Sequence, residues 1–310
     1  MTEQKKTTAE ASSPPPSTYN LSGFTGVWNL IKNEEDVVVK KKVAEYITEI
    51  IGKSKMDSYR VIFLYDDYSP ISQYHSNKIY EAISDLKKQK DILLILMSDG
   101  GRIEPAYLIS KTCKRLAKNR FVVSAPRRAK SAATLIALGA NEIHMGLLSE
   151  LGPIDPQISG FPALGLTNSL EKIANLSAKF PGSSDMFAKY LAQNLKIHDL
   201  GYYDRLAESA VQYAERLLEG KKFLNGKTAS NIADHFTNHY KDHSFVIDVD
   251  EAVKNLGKNL VKESEPEYEL ANELYVFLEL LDFCYRIEKK KTIRYVGSIE
   301  NGLDTNNIKN

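Results

Sequence analysis

The stretch from residue 91 to residue 157 constrains the fold most strongly, because short apolar runs alternate in it with helical segments. The runs at 92–97 and 121–124 are almost uninterrupted, as expected of strands buried on both faces of a parallel sheet. A helical segment at 104–118 separates them, and a further strand-like run lies at 60–65. This alternating order predicts an α/β fold with parallel strands joined by right-handed crossovers.

Two features at the ends of these runs predict a site. Gly100 and Gly101 follow the run at 92–97, and paired glycines allow a sharp turn that leaves backbone amides open to a ligand. Ser131 follows the next run and begins an Ala- and Leu-rich helix. A hydroxyl at that place is a candidate nucleophile, with an oxyanion hole formed by the amide of Ala132 and that of Gly100 or Gly101. An ordinary helix-capping serine is the alternative.

The chain resembles a known family in three motifs. These are the Gly100-Gly101 turn, the segment Ser-Ala-Ala-Thr-Leu-Ile-Ala-Leu-Gly-Ala beginning at Ser131, and Leu-Gly-Pro-Ile-Asp-Pro-Gln at 151–157. They are similar to those of the Clp protease/crotonase superfold, most closely the serine dehydrogenase proteinase branch of signal-peptide-peptidase-like serine hydrolases. The resemblance covers residues 61–257. It implies stacked ββα units with a mostly parallel sheet and C-terminal helices, and a serine hydrolase that cleaves peptide bonds.

The general base is the open question in this resemblance. Clp proteases place a histidine about 25 residues beyond the serine, and the segment at 151–157 contains none. Signal-peptide-peptidase relatives place a lysine about 40 to 60 residues beyond it, a range that includes Lys172, Lys179 and Lys189. Lys189 is the preferred candidate, because its helix corresponds to the helix that carries the base in the family. Each lysine lies opposite the apolar stripe of its helix, whereas a lysine base must be desolvated.

Asp155 is the third candidate catalytic residue, which would orient a base or bind a peptide backbone; the alternative is an Asp-Pro turn. Lys130 departs from the small or apolar residue expected before the serine, and Ala132-Ala133 departs from the glycine expected after it. These departures would either narrow the site or indicate lost activity.

No metal or cofactor is predicted. His235, His239 and His243 recur at spacings of four residues, but no His-Glu-x-x-His pattern accompanies them. The two cysteines, Cys113 and Cys284, show no ligand spacing and are expected to be reduced and packed.

Composition limits the partners and the compartment. The 310 residues contain 41 Lys+Arg and 40 Asp+Glu, a balance that gives no electrostatic case for binding nucleic acid. No apolar run reaches the roughly 18 residues of a membrane span, and the N-terminus lacks the apolar core of a secretory signal. We therefore expect a cytoplasmic protein with no integral membrane segment.

The predicted organisation has four parts. Residues 1–20 are polar and proline-rich and are expected to be a disordered tail. Residues 21–262 form the hydrolase domain, 263–292 form a C-terminal helix that either packs internally or makes an oligomer contact, and 293–310 form a second tail. A homo-oligomer is expected by analogy with the superfold alone.

Two other functions remain open on these residues. The first is a catalytically inactive, oligomeric relative that binds peptides or a partner protein. The second is a crotonase-type acyl-CoA enzyme, a class that uses two oxyanion amides but usually carboxylates rather than a serine.

Overall fold

A seven-stranded sheet with helices on both faces organises the protein in a computed structural model, which describes residues 19–85, 89–158, 160–163 and 165–308. The spatial order of the strands is β11-β10-β1-β2-β3-β5-β9. The strands are β1 Tyr59–Tyr65, β2 Asp91–Met97, β3 Phe121–Ser124, β4 Arg128–Ala129, β5 Glu142–Met145, β6 Glu150–Leu151, β7 Gln157–Ile158, β8 Phe161–Pro162, β9 Val261–Glu263, β10 Lys291–Gly297 and β11 Leu303–Asn307.

Eleven α-helices are seen in the described part of the chain. They are α1 Phe24–Asn33, α2 Asp36–Lys53, α3 Gln73–Ile83, α4 Ile103–Leu116, α5 Ala132–Gly139, α6 Gly165–Lys179, α7 Ser184–Asn194, α8 Ile197–Leu218, α9 Ala229–Asp234, α10 Val249–Leu256 and α11 Pro266–Lys289. None of the helices in these ranges combines the length and the apolar character needed to span a bilayer.

The parallel part of the sheet confirms the fold predicted from the apolar runs. β1, β2, β3, β5 and β9 are all parallel, in the register Val61↔Leu93 and Leu93↔Val122 at the centre. Because these strands run in one direction, their carboxyl ends lie along a single edge of the sheet. In open α/β sheets this is the edge at which ligands bind.

Alternation along the strands produces two cores. In β1, Ile62 and Leu64 pack with helices such as α4 and α5 on one face, and Val61 and Phe63 pack with α2 and α11 on the other. Successive side chains of a strand point to opposite faces, so a continuous apolar run is what a strand between two helical layers requires.

The C-terminal region differs from the tail predicted for residues 293–310. β10 pairs antiparallel with β1, with Phe63 opposite Gly297, and β11 extends the sheet beyond it. Ile293 and Tyr295 are fully buried in the core shared with α11. The physical reason is edge protection: a paired hairpin satisfies the backbone groups that β1 would otherwise expose at the sheet edge.

The long C-terminal helix predicted for residues 263–292 is present as α11. Its apolar stripe, including Leu274, Leu278 and Leu281, is fully buried against the sheet and the N-terminal helices of the same chain. The stripe is therefore occupied within one subunit. The N-terminal tail predicted for residues 1–20 lies, up to residue 18, outside the described residues.

Candidate active site

Ser131 lies at the carboxyl edge of the sheet, immediately before α5, on an unusual backbone. Its φ of 52° and ψ of −120° place a non-glycine residue in a left-handed conformation. Its side chain makes no capping hydrogen bond to the first turn of α5, so the helix-capping alternative is not what holds it there. Strained conformations of this kind persist where the surrounding structure enforces them, and they concentrate at functional sites.

The turn at Gly100 is what lets the neighbouring strand approach Ser131. A Cβ added to Gly100 would lie 2.7 Å from the Cβ of Ser131 and 2.8 Å from the carbonyl oxygen of Lys130. The φ of Gly100 is also 105°, a value that L-residues rarely adopt. Both the space and the backbone angle therefore require glycine at this position.

Gly101 is held by a second close contact. Ile71 N–H donates to the Gly100 carbonyl at 2.7 Å, and Arg102 N–H donates to the Ile71 carbonyl at 2.8 Å. A Cβ on Gly101 would lie 2.2 Å from the Ile71 nitrogen. The loop that follows β1 therefore fixes the turn that follows β2.

The backbone amides of the turn are not equivalent. Gly100 N–H donates to the Ser98 hydroxyl at 3.2 Å. The N–H groups of Gly101 and Ala132 donate to none of the residues that the structure describes. Gly101, Ser131 and Ala132 all line one cleft. Within the described residues, the cleft that holds Ser131 is therefore also lined by two residues whose N–H groups have no acceptor, Gly101 and Ala132, whereas Gly100 is the residue that approaches Ser131 most closely.

The cleft has a volume of about 510 Å³ and a mixed lining. Leu135 of α5 and Ile154 of the loop after β6 are buried beneath it, and Tyr213 of α8 forms part of its wall. Volumes of roughly 300 to 1,000 Å³ with apolar walls and a few polar groups are usual for ligand sites. The cleft is therefore large enough for side chains of a substrate.

An acidic pair flanks the turn. Arg128 donates to Asp99, which lines the cleft, at 2.8 Å and lies 3.3 Å from Asp67. Burial raises the pKa of Asp67 to about 6, although Arg128 opposes the shift. Arg128 thus compensates both the desolvated carboxyl group of Asp67 and the more exposed one of Asp99.

The three lysines considered as bases all lie on exposed positions of α6 and α7. The Lys189 ammonium pairs with Asp185 at 2.7 Å, and its side chain is 74% exposed. Lys179 lies over the ring of Phe180. None of Lys172, Lys179 and Lys189 is among the described residues that line the Ser131 cleft. The structure of one chain therefore does not bring these lysines together with the serine.

Asp155, by contrast, lies beside the cleft and has a partner that sequence reasoning missed. Its Oδ1 is 2.7 Å from Nδ1 of His243, and its Oδ2 accepts a hydrogen bond from Gln157 at 2.6 Å. His243 and Gln157 line the same cleft as Ser131. From the sequence, His243 was noted only as one of three regularly spaced histidines that were weighed as metal ligands. In the described ranges no group of three His, Cys, Asp or Glu side chains is arranged to hold a metal ion.

The unexpected Lys130 has a structural explanation. Its ammonium pairs with Glu150 at 2.8 Å and donates to the carbonyls of Ser244 and Phe245 at 3.2 and 3.3 Å. Those carbonyls directly follow His243. The Lys130 ammonium is therefore bound to Glu150 and to the segment that follows His243. These contacts link that segment to the residue that precedes Ser131.

The far end of α5 is anchored by a buried ammonium. Lys221 extends from the end of α8, and its Nζ donates to the carbonyls of Leu138 and Ala140. The residue as a whole is half-buried, but its ammonium is desolvated. That desolvation, with a smaller contribution from Lys114, lowers the pKa of Lys221 to about 7.

Stability should therefore depend on pH through Lys221. The unfolded chain keeps the ordinary lysine pKa of 10.5, so above pH 7 it binds more protons than the folded chain, and stability rises with pH. We expect the free energy of unfolding to increase by about 2 kcal/mol between pH 7 and 9 from this group. Urea unfolding of Lys221→Met should lack the increase, and Lys222→Met, at an exposed neighbour, should retain it. Equal slopes in all three proteins would contradict the desolvation.

The chain is similar to a known protein family and to two proteins of one archaeon. Residues 39–307 match the family model described as ClpP-like SDH-type serine proteinase. An uncharacterized protein of Methanocaldococcus jannaschii is 31% identical over 235 residues, covering 75% of this chain and 70% of the relative. A second uncharacterized protein of that organism is 34% identical over 99 residues, 32% of this chain and 34% of the relative.

Two similar solved structures are variants of one protease. The first, a Ser-to-Ala variant of the 1510-N membrane-bound stomatin-specific protease, has a TM-score of 0.42 at 15% identity and covers 76% of this chain and 85% of its own. The second, a Lys-to-Ala variant in complex with a substrate peptide, has a TM-score of 0.41 at 15% identity and covers 81% and 87%.

Proposed function

Because the chain belongs to the ClpP-like SDH-type serine proteinase family, we propose that it hydrolyses peptide bonds with Ser131 as the nucleophile. The observation that carries the proposal is the position of Ser131. It lies on a strained backbone in the lining of a cleft to which Gly101 and Ala132 also belong, and the N–H groups of these two residues have no acceptor among the described residues. A serine beside two such donors is the arrangement that acyl transfer requires.

The reaction proceeds in two halves. The Ser131 oxygen attacks the scissile carbonyl carbon, its proton passes to a base, and the amides of Gly101 and Ala132 hold the resulting oxyanion. Collapse of the tetrahedral species breaks the C–N bond, and the amine leaves with a proton returned by the base. A water molecule then attacks the acyl-enzyme by the same steps and releases the carboxylic acid.

The cleft suits a peptide as the acyl donor. Its apolar floor, formed by Leu135 and Ile154, would accommodate an uncharged side chain next to the scissile bond. The charged side chains of the lining are paired, Asp99 with Arg128 and Arg102 with Glu104, so the local charges largely cancel. Peptides with an apolar residue before the cleaved bond are therefore the substrates to test first.

Active-site labelling tests the proposal. A fluorophosphonate probe should modify folded wild-type protein at Ser131, as located by mass spectrometry, and wild type should cleave apolar fluorogenic peptides. Ser131→Ala should lose both activities. Ser209→Ala removes another hydroxyl that lines the same cleft and should retain them. Wild-type protein that is folded but neither labelled nor active would contradict the proposal and favour a non-catalytic peptide-binding relative.

A further inference from the structure

We propose that a second cavity, separate from the serine cleft, binds a small organic molecule through its phosphate group. The cavity lies between α11, the hairpin of β10 and β11, and the loop that follows β1, and its volume is about 870 Å³. None of the described residues that line it also lines the cleft of Ser131. Binding at this cavity is independent of the peptidase function proposed above, whereas its effect on Ser131 rests on that function.

Arg294 of β10 brings to the cavity a guanidinium group that has no hydrogen-bond partner among the described residues. Its Cζ lies 4.2 Å from the centroid of the Tyr74 ring, a contact that fixes the plane of the group. Its Nε is buried and has no acceptor in the described part of the chain. The carboxylate that pairs with it, Asp304, is 3.8 Å away, which is beyond hydrogen-bond distance. Asp304 is already bound by the Tyr74 hydroxyl at 2.8 Å and by Lys40 at 3.3 Å.

Arg286 supplies a second guanidinium from α11. Its Nε pairs with Asp282 at 2.9 Å, and its terminal nitrogens have no acceptor among the residues that the structure describes. Asp282 does not need those nitrogens, because Ile293 N–H and the Tyr68 hydroxyl donate to it at 2.8 and 2.7 Å. No carboxylate belongs to the described lining of the cavity. The two arginines therefore give the cavity a positive lining.

Neutral donors complete this lining. Thr292 is 8% exposed, yet its hydroxyl has no hydrogen-bond partner within the described ranges. It shares a face of β10 with Arg294, because alternate side chains of a strand point the same way. Asn306, which is opposite Thr292 in the hairpin, adds an amide, and Ser69 adds a hydroxyl from the loop after β1. A buried polar group without a protein partner is usually satisfied by a bound molecule or by water.

This set of donors fits a phosphate better than a carboxylate. A guanidinium fork binds phosphate through two parallel hydrogen bonds. A phosphate monoester has three terminal oxygens and nearly two negative charges, which match two arginines and the adjacent hydroxyl. A carboxylate has only two oxygens and one charge. The cavity is larger than inorganic phosphate requires, and the Tyr68 ring and Ile308 give its wall apolar surface for the organic part of a ligand.

The loop that follows β1 connects this cavity to the serine cleft. Ser69 lines the cavity, and its amide donates to Asp66 at 2.9 Å. The same loop leads to Ile71, whose backbone binds the turn of Gly100 and Gly101. A ligand that binds Ser69 would therefore restrict the segment that fixes this turn. Occupation of the cavity should make the Ser131 site more ordered and more reactive.

Isothermal titration calorimetry of the full chain with phenyl phosphate tests the site. We expect one molecule to bind per chain, and the affinity to fall about 10-fold or more in Arg294→Met and in Arg286→Met, as expected when a charge-assisted hydrogen-bonding group is lost. Arg294→Lys keeps the charge without the fork and should have an intermediate affinity. Arg115→Met removes an exposed arginine of α4 and should bind as wild type does. Inorganic phosphate and benzoate should both bind more weakly than phenyl phosphate.

Three results would contradict this assignment. Folded wild-type protein that binds neither phenyl phosphate nor inorganic phosphate would overturn the site. Benzoate that binds as tightly as phenyl phosphate would overturn the choice of phosphate. Wild-type affinity in both Arg294→Met and Arg286→Met would place the binding elsewhere. Thermal melting identifies the variants that are folded, and Arg286→Met changes an exposed helix position, so at least one variant is expected to be measurable.

The effect on the serine has its own test. Saturating phenyl phosphate should raise the rate of fluorophosphonate labelling of Ser131 about fivefold or more, and Arg294→Met should keep the basal rate but lose the increase. An unchanged rate in protein that binds phenyl phosphate would overturn the coupling and leave the site standing. No labelling of folded wild type under either condition would overturn the peptidase function, and calorimetry would still decide whether the cavity binds phosphate.

Discussion

Replacing Gly100 by alanine should nearly abolish labelling of Ser131 and destabilise the protein. The new Cβ would lie within 3.1 Å of three atoms, which belong to Ser131, Lys130 and Ala132, and two of these atoms are backbone. Neither the turn nor the start of α5 can yield without moving the other. The φ of 105° adds a strain of roughly 1–3 kcal/mol. We expect the free energy of unfolding to fall by about 3 kcal/mol or more.

The activity of the folded variant should also fall, because the displaced turn carries one of the proposed oxyanion donors. Losing one such donor costs about 10²–10³ in kcat. Urea unfolding and the fluorophosphonate labelling rate, measured where each variant is folded, check the two effects. Gly52→Ala is the matched control, since its Cβ meets nothing within 4 Å and its helical position favours alanine. A Gly100→Ala protein with wild-type labelling would show that the serine and the turn do not act together.

Removing the carboxylate of Asp66 should cause the other large loss. Asp66 is 1% exposed, and it accepts hydrogen bonds from the amides of Tyr68 and Ser69 at 3.0 and 2.9 Å. Its other oxygen is 3.2 Å from Nε2 of His75, which is equally buried. Because Asp66→Ala leaves the buried His75 ring and two part-buried loop amides without their acceptor, we expect it to lower the free energy of unfolding by about 3–5 kcal/mol.

The Asp66→Ala variant should also disturb the active site, and the effect should be transmitted through Ile71. The loop that Asp66 organises leads to Ile71, whose backbone holds the turn of Gly100 and Gly101. Labelling of Ser131 should therefore slow in Asp66→Ala even below its melting temperature. Asp57→Ala removes an exposed carboxylate at the opposite end of β1 and should change neither quantity. Asp66→Asn, which keeps an acceptor for the loop amides, should lose less stability than Asp66→Ala.

The fold was largely predictable because the central strands of the sheet are recognisable from their local sequence pattern. The apolar runs at 60–65, 92–97 and 121–124 became adjacent parallel strands, since only a strand covered on both faces needs side chains of that kind throughout. The C-terminal hairpin was missed for the complementary reason. β11 is polar and half-exposed, and it belongs to the sheet through pairing with β10 rather than through its own composition.

The candidate site was likewise predictable only in part. Ser131 and the glycine turn were visible in the sequence, because each depends on residues within a few positions of a strand end. Which glycine amide stays free was not visible, because the Ser98 hydroxyl that occupies the Gly100 amide has no signature. In the sequence, Lys130 was only a departure from the small or apolar residue expected before the serine. Its contacts with the carbonyls of Ser244 and Phe245 explain it, and they are visible only in the structure.

By itself, the sequence determined the parallel sheet, the helix that follows Ser131 and the chemical types available at the strand ends. These follow from side-chain periodicity and from backbone preferences, which act over a few residues. Only the tertiary structure decided that His243 meets Asp155 beside the serine cleft, and that three plausible lysines remain in solvent. Contacts between segments 88 residues apart depend on strand register and on how two loops fold back, and no local pattern encodes either.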